Sequence, residues 1–128
     1  MNWVYDCLAV GTLDDARSRE MLQCENIDFV IDVRHHFTFK QLITGDEINP
    51  FVSVEGLAEG VALLLENGYT VLLYCMGGVD RAPFVAALVL YFMYLEGLPF
   101  MQCYEDIKEM NPQTFIHDEW ARQLGLIV

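Results

Sequence analysis

The sequence predicts an α/β fold: a three-layer sandwich in which a largely parallel central sheet of four to five strands carries helices on both faces. Three observations lead there. Short β-branched or leucine-rich runs, Phe29-Val30-Ile31-Asp32-Val33 and Val71-Leu72-Leu73-Tyr74, lack polar alternation and suit strands buried on both faces. Segments with helical spacing lie between and after them. Strand and helix alternate along the chain, the order that builds a mostly parallel sheet. At 128 residues the chain is read as a single domain, 1–128, long enough for a proper core and too short for two.

The elements follow in order. Residues 3–10 read as one strand, stopped by Gly11. Asp14 or Thr12 can cap a helix through Gln23, with Ala16, Met21 and Leu22 inward. The run at 29–33 is the second strand. Residues 34–52 show no periodicity, and Gly45, Asp46, Asn49 and Pro50 mark a loop. Ser53 caps a helix with Leu57, Val61, Leu64 and Leu65 inward, which Asn67-Gly68 ends. The strand at 71–74 leads directly into Cys75. Pro83 suits the first turn of a helix running to about Leu95, with Tyr91, Met93 and Tyr94 as a core stripe. Gly97 and Pro99 break that helix, and another runs to about Met110. Asn111-Pro112 precedes a short last helix ending near Gly125.

Composition narrows the function. Nineteen acidic residues against seven basic give a net charge of −12, with no Lys/Arg cluster. Such a field repels nucleic-acid backbones and anionic bilayers, so neither is expected as a partner, and a monomer is expected. The longest apolar run, Phe84 to Leu95, is twelve residues, too short for a membrane span. No basic, then apolar, leader is visible, and a cytoplasmic location is expected. The four cysteines, Cys7, Cys24, Cys75 and Cys103, are then expected as free thiols. No Cys-x-x-Cys occurs and His35-His36 are adjacent, so no metal site or other cofactor is anticipated.

The chemistry concentrates in Cys75-Met76-Gly77-Gly78-Val79-Asp80-Arg81. A loop between a strand's C-terminal end and a helix aims successive backbone N–H groups at one point, and the helix N-terminus adds positive potential. Gly77 and Gly78 allow close approach to an anion or positive φ. Arg81 supplies a planar fork matched to phosphate oxygens. Cysteine in that setting has its anion favoured by amide dipoles, helix and guanidinium together. An anion site with a nucleophile at its base suits phosphoryl transfer to sulfur.

This segment resembles the signature of the protein tyrosine phosphatase superfamily: His-Cys, five residues, Arg, then Ser or Thr. The remaining chain resembles the dual-specificity branch. Leu8-Ala9-Val10-Gly11 with Asp15-Ala16 is similar to that branch's opening strand and first helix, Ile27 to Val33 to its second strand, and Gly97-Leu98-Pro99 to a connector. The resemblance implies that Cys75 attacks phosphorus, that Arg81 holds the equatorial oxygens, and that amides of Met76, Gly77, Gly78, Val79, Asp80 and Arg81 complete the cradle. It implies phosphotyrosine and phosphoserine/threonine on proteins as substrates, through a thiophosphate intermediate. The chain departs from the pattern at Tyr74, where the family has histidine, at Ala82, where it has Ser or Thr, and at Asp80, an acid inside the loop. Without the hydroxyl at 82, slower breakdown of the phosphoenzyme is expected.

The leaving oxygen needs a proton, usually from a carboxylic acid on a separate loop. Asp46, in the Gly45-Asp46-Glu47 turn 29 residues before Cys75, is the first candidate, at about the family's distance, with Glu47 its neighbour. Asp80 is the rival, as in the loop of myotubularin-like lipid phosphatases. Asp32 is expected to pair structurally with Arg34. His35-His36 read as a solvated loop, His117 as surface or packing, and Cys24 and Cys103 as buried spectators, with a redox partnership to Cys75 as the alternative. Two other functions fit less well: a rhodanese-like sulfurtransferase, whose loops usually hold four residues rather than five, and a catalytically weak phosphate-reading module.

Overall fold

The computed structural model describes residues 1–34, 54–94 and 97–128. Four strands form one sheet in the order β1-β2-β4-β3: β1 (Asn2–Tyr5), β2 (Leu8–Gly11), β3 (Phe29–Asp32) and β4 (Val71–Tyr74). β2 and β3 both run parallel to β4, and β1 is antiparallel to β2. Parallel pairing follows from the connections, since each parallel crossover needs a long segment to return the chain to the same sheet end. The α/β class with a largely parallel four-stranded sheet is therefore as expected.

The first expected strand is instead two. Asp6-Cys7 forms a tight turn that folds β1 back on β2, with Cys7 at φ 63°. A non-glycine residue there is uncommon, and no Gly, Asn or Pro marks the turn. The following helix is also two: α1 (Leu13–Arg17) and α2 (Arg19–Cys24). Thr12 caps α1, its hydroxyl accepting from the Asp15 amide at 3.2 Å while Asp15 accepts from the Thr12 amide at 2.9 Å. Ser18 ends α1 and caps α2, which is why the helix breaks there. Ala16, Met21 and Leu22 are half-buried rather than core.

Three longer helices complete the fold: α3 (Val54–Glu66), α4 (Arg81–Met93) and α5 (Phe100–Met110), with a short α6 (Asp118–Gln123) at the end. α3 ends before Gly68, whose φ of +85° supplies the left-handed residue a helix terminus takes. α4 packs between α3 and α5 and on β2 and β4. Every residue from Ala82 to Leu90 is buried, so its apolar character all round is a consequence of its central place. In β4, Val71 and Leu73 join the main core with Leu8 and Val10 of the paired β2, while Leu72 is buried on the opposite face beside Gly11 and Asp15. Both faces of β4 are covered. β3 is not: Phe29 and Val30 are each 40 % exposed, because β3 ends the described sheet. In the expected stripe on α4, Tyr91 and Met93 are half-buried and Tyr94 is exposed.

Candidate functional site

The turn from β4 into α4 holds the expected loop, Cys75 to Arg81. Cys75 is 4 % exposed. Its amide donates to the Gly11 carbonyl at 3.3 Å, so the end of β2 fixes where the loop begins. The Ala82 amide, in the first turn of α4, donates to Cys75 Sγ at 3.4 Å. The sulfur therefore lies where the unpaired N–H groups of a helix N-terminus converge.

Gly78 lies behind the loop at φ +66°, and a Cβ there would come within 3.3 Å of the Gly11 carbonyl oxygen. Glycine is demanded by conformation and space together. The Gly78 carbonyl accepts from Asn111 Nδ2 at 3.0 Å, and the Val79 carbonyl from the Phe115 amide at 3.0 Å. In trans peptides the adjoining N–H groups, those of Val79 and Asp80, then point away from this buttress. Asn111 is fully buried and fully engaged: its Oδ1 accepts from Asn2 Nδ2 at 2.6 Å, and its amide also reaches Thr114 Oγ1 at 2.8 Å.

In front of the loop is a cavity of about 290 Å³. Cys75, Met76, Gly77, Asp80 and Arg81 line it, joined by His117 and Trp120 from the C-terminal segment. Four of the six expected cradle residues thus face the cavity, while Gly78 and Val79 stand behind and are held by their carbonyls. Arg81 Nη1 donates to the Arg34 carbonyl at 2.9 Å. A guanidinium has five N–H donors, so this anchor leaves others for an anion.

Arg34 is itself held by Asp32. Its Nη2 lies 2.7 Å from Asp32 Oδ2, its Nε donates to both carboxylate oxygens, and its backbone amide donates to Oδ1 at 2.8 Å. These hydrogen bonds lower the Asp32 carboxyl to about 2. The guanidinium lies 5.5 Å from the Tyr74 ring centroid and reaches Met76 Sδ at 3.7 Å. Burial first, and then the charge of Asp32, push the Tyr74 hydroxyl above its usual value. Tyr74 thus occupies the position before Cys75 as the aromatic floor of an ion pair.

Asp80 stands at the N-cap position of α4 without a side-chain cap hydrogen bond. Its Oδ1 lies 2.7 Å from His117 Nε2, whose ring stacks on Trp120 at 3.7 Å between centroids and 13° between planes. His117, expected at the surface or in packing, instead lines the cavity, Asn111, expected only as a break before the last helix, braces the loop, and Trp120 is a residue that the sequence did not single out. No spacing signals them, since 37 residues separate Asp80 from His117. Asp46, Glu47, His35 and His36 lie outside the described residues. All four cysteines are free; Cys24 is exposed rather than buried, and Cys103 is buried in α5 with its thiol pushed up by that burial.

No protein-family model matches the sequence, and no curated protein matches it. Solved structures do. Human DUSP28 superposes with a TM-score of 0.72 at 17% identity, over 98% of this chain and 93% of that one. DUSP15 gives 0.70 at 17% identity, over 97% and 84%. A leucine-rich-repeat and phosphatase-domain protein from Entamoeba histolytica gives 0.70 at 14%, over 98% and 88%. The chain has the dual-specificity phosphatase fold.

Proposed function

We propose that this chain is a cysteine-dependent phosphatase that hydrolyses phosphomonoesters, with phosphotyrosine and phosphoserine/threonine on proteins as its substrates. One observation carries the proposal. The Cys75 sulfur receives an amide hydrogen bond at the start of α4, in a cavity that Arg81 also lines. The fold shared with DUSP28, DUSP15 and the Entamoeba histolytica phosphatase-domain protein supports it.

In this mechanism the Cys75 thiolate attacks phosphorus and the P–O bond to the leaving group breaks. The leaving oxygen takes a proton from a carboxylic acid. Arg81 and the loop amides hold the non-bridging oxygens while charge develops on them. Water then attacks the phosphocysteine, the P–S bond breaks, and inorganic phosphate leaves. By resemblance the acid is Asp46; Asp80, on the cavity wall, is the second candidate. Ala82 contributes an amide to the sulfur and no hydroxyl, so the second step is the slower one. No step calls for a metal, and EDTA should leave the rate unchanged.

Release of p-nitrophenol from p-nitrophenyl phosphate, run beside thiocyanate formation from thiosulfate and cyanide, tests the proposal. Turnover of the first and not the second supports a phosphatase. The reverse makes the chain a sulfurtransferase, and neither, with retained phosphate binding, makes it a phosphate reader.

A further inference from the structure

Asp80 sits oddly for a pocket that takes anions. It places a carboxylate on the wall where a phosphate dianion would enter, and its side chain is about half exposed. The residue it meets is held in place independently. The His117 backbone N–H donates to the Tyr104 hydroxyl at 3.1 Å, its ring stacks on Trp120, and Phe115 flanks it at 4.7 Å between centroids. The imidazole is thereby fixed with Nε2 at 2.7 Å from Asp80 Oδ1.

We propose that His117 is a charge-compensating positioning residue of the anion site. Protonated, it pairs with Asp80 and offsets the carboxylate, so the cavity admits a dianion. Neutral, it leaves the Asp80 charge facing the incoming anion, and affinity falls. Anion binding and protonation of the pair are linked, so each strengthens the other by the same factor. The inference rests on the proposal that this cavity binds phosphate.

Among the described residues, the other charged or titratable groups around His117 are few. Cys75 and Arg81 lie across the cavity. Tyr104 of α5 has its hydroxyl pushed up to about 12 by burial, so it stays neutral through the range where imidazole titrates. Asp118, next in the chain, is exposed.

Calorimetric titration of the Cys75→Ser protein with sulfate tests this. The substitution removes the thiol's own titration, and sulfate keeps a constant charge from about pH 5.5 to 8. Affinity should fall by about fivefold or more as pH rises across that range. Titrations in buffers of different ionisation enthalpy should show proton uptake on binding at the upper end. Adding His117→Gln should hold affinity at the weaker level at every pH, without proton uptake. Adding Asp80→Asn should bring affinity at the upper end of the range up to at least the tighter level, because no carboxylate is left uncompensated there, and this second variant serves even where the first fails to fold. A pH dependence that survives His117→Gln, or an Asp80→Asn protein whose sulfate affinity at the upper end is no tighter than that of its parent, overturns the inference alone. Absence of sulfate binding in every variant at every pH overturns the anion-site reading, and this inference falls with it.

Discussion

The back of the cavity and its rim are built on different principles. The back is backbone: Cys75 Sγ under the Ala82 amide, Gly78 against Gly11, and two loop carbonyls tied to Asn111 and Phe115. Nothing there needs to titrate for the loop to keep its shape. The rim is side chain: Asp80 with His117, His117 on Trp120, and Arg81 tied through the Arg34 carbonyl to an ion pair. A site made this way keeps its nucleophile in a rigid frame while its charge varies at the edge. Substitutions behind the loop should therefore cost stability and rate together, and those at the rim should change rate, pH dependence or affinity with the fold intact.

The largest expected effect is at the nucleophile. Cys75→Ser should reduce p-nitrophenyl phosphate turnover to below a few per cent while leaving the thermal transition and sulfate binding in place, because oxygen there is a far weaker nucleophile. Arg81→Lys should cost roughly 10³-fold in kcat/KM, since a point charge cannot replace the planar fork. Asp46→Asn should slow phenyl phosphate hydrolysis by about 10²-fold and a substrate with an activated leaving group much less, because the second barely needs a proton. If Asp80→Asn gives that pattern and Asp46→Asn does not, the acid belongs to the rim itself.

Asn111→Ala tests the back of the site. It removes the buried donor to the Gly78 carbonyl and the Thr114 hydroxyl and the acceptor for Asn2, while the Thr114 hydroxyl keeps its bond to the backbone carbonyl of residue 111, so a urea titration should show a loss of about 2–3 kcal/mol. The rate should fall about tenfold as the loop loosens, and an unchanged rate in a destabilised protein would separate the buttress from the chemistry. The smallest effect is expected at Asp32. Its folded-state value, about 2, lies below the unfolded carboxylate value of about 3.9. The pair with Arg34 therefore contributes stability that is fully present above the unfolded value and is lost as pH falls toward about 2. Asp32→Asn should lower the urea midpoint slightly at pH 7 and leave it equal to wild type near pH 2.

Separation along the chain, rather than place in the cavity, explains what the sequence revealed. The Cys75–Arg81 loop was legible because a strand, two glycines, an arginine and a helix start occupy one continuous stretch, each with a local reason for its place, whereas the Asn111 contact behind it, 33 residues away in sequence, was not. The helices α3, α4 and α5 were legible from apolar spacing and from Gly68, Pro83 and Pro99. The Asp80–His117 contact at the rim was not, because the two residues lie 37 apart in sequence and meet only in the folded chain. The Asp6-Cys7 turn was missed because a cysteine in left-handed backbone carries no local sign of it. Ser18 was missed for the opposite reason: as a helix cap it is an ordinary residue inside an otherwise continuous helical pattern. The β-branched run of β3 suits burial on both faces, yet composition does not say which strand lies at an edge, and Phe29 and Val30 are exposed there.

The most direct measurement is acid-quenched mass spectrometry of the protein mixed with p-nitrophenyl phosphate. The expected result is one added phosphate on the peptide bearing Cys75, formed with the first burst of nitrophenol and absent from Cys75→Ser. It should accumulate in the wild type, since Ala82 leaves the second step without a hydroxyl. Steady nitrophenol release with no phosphate on Cys75 at any quench time would contradict the covalent mechanism.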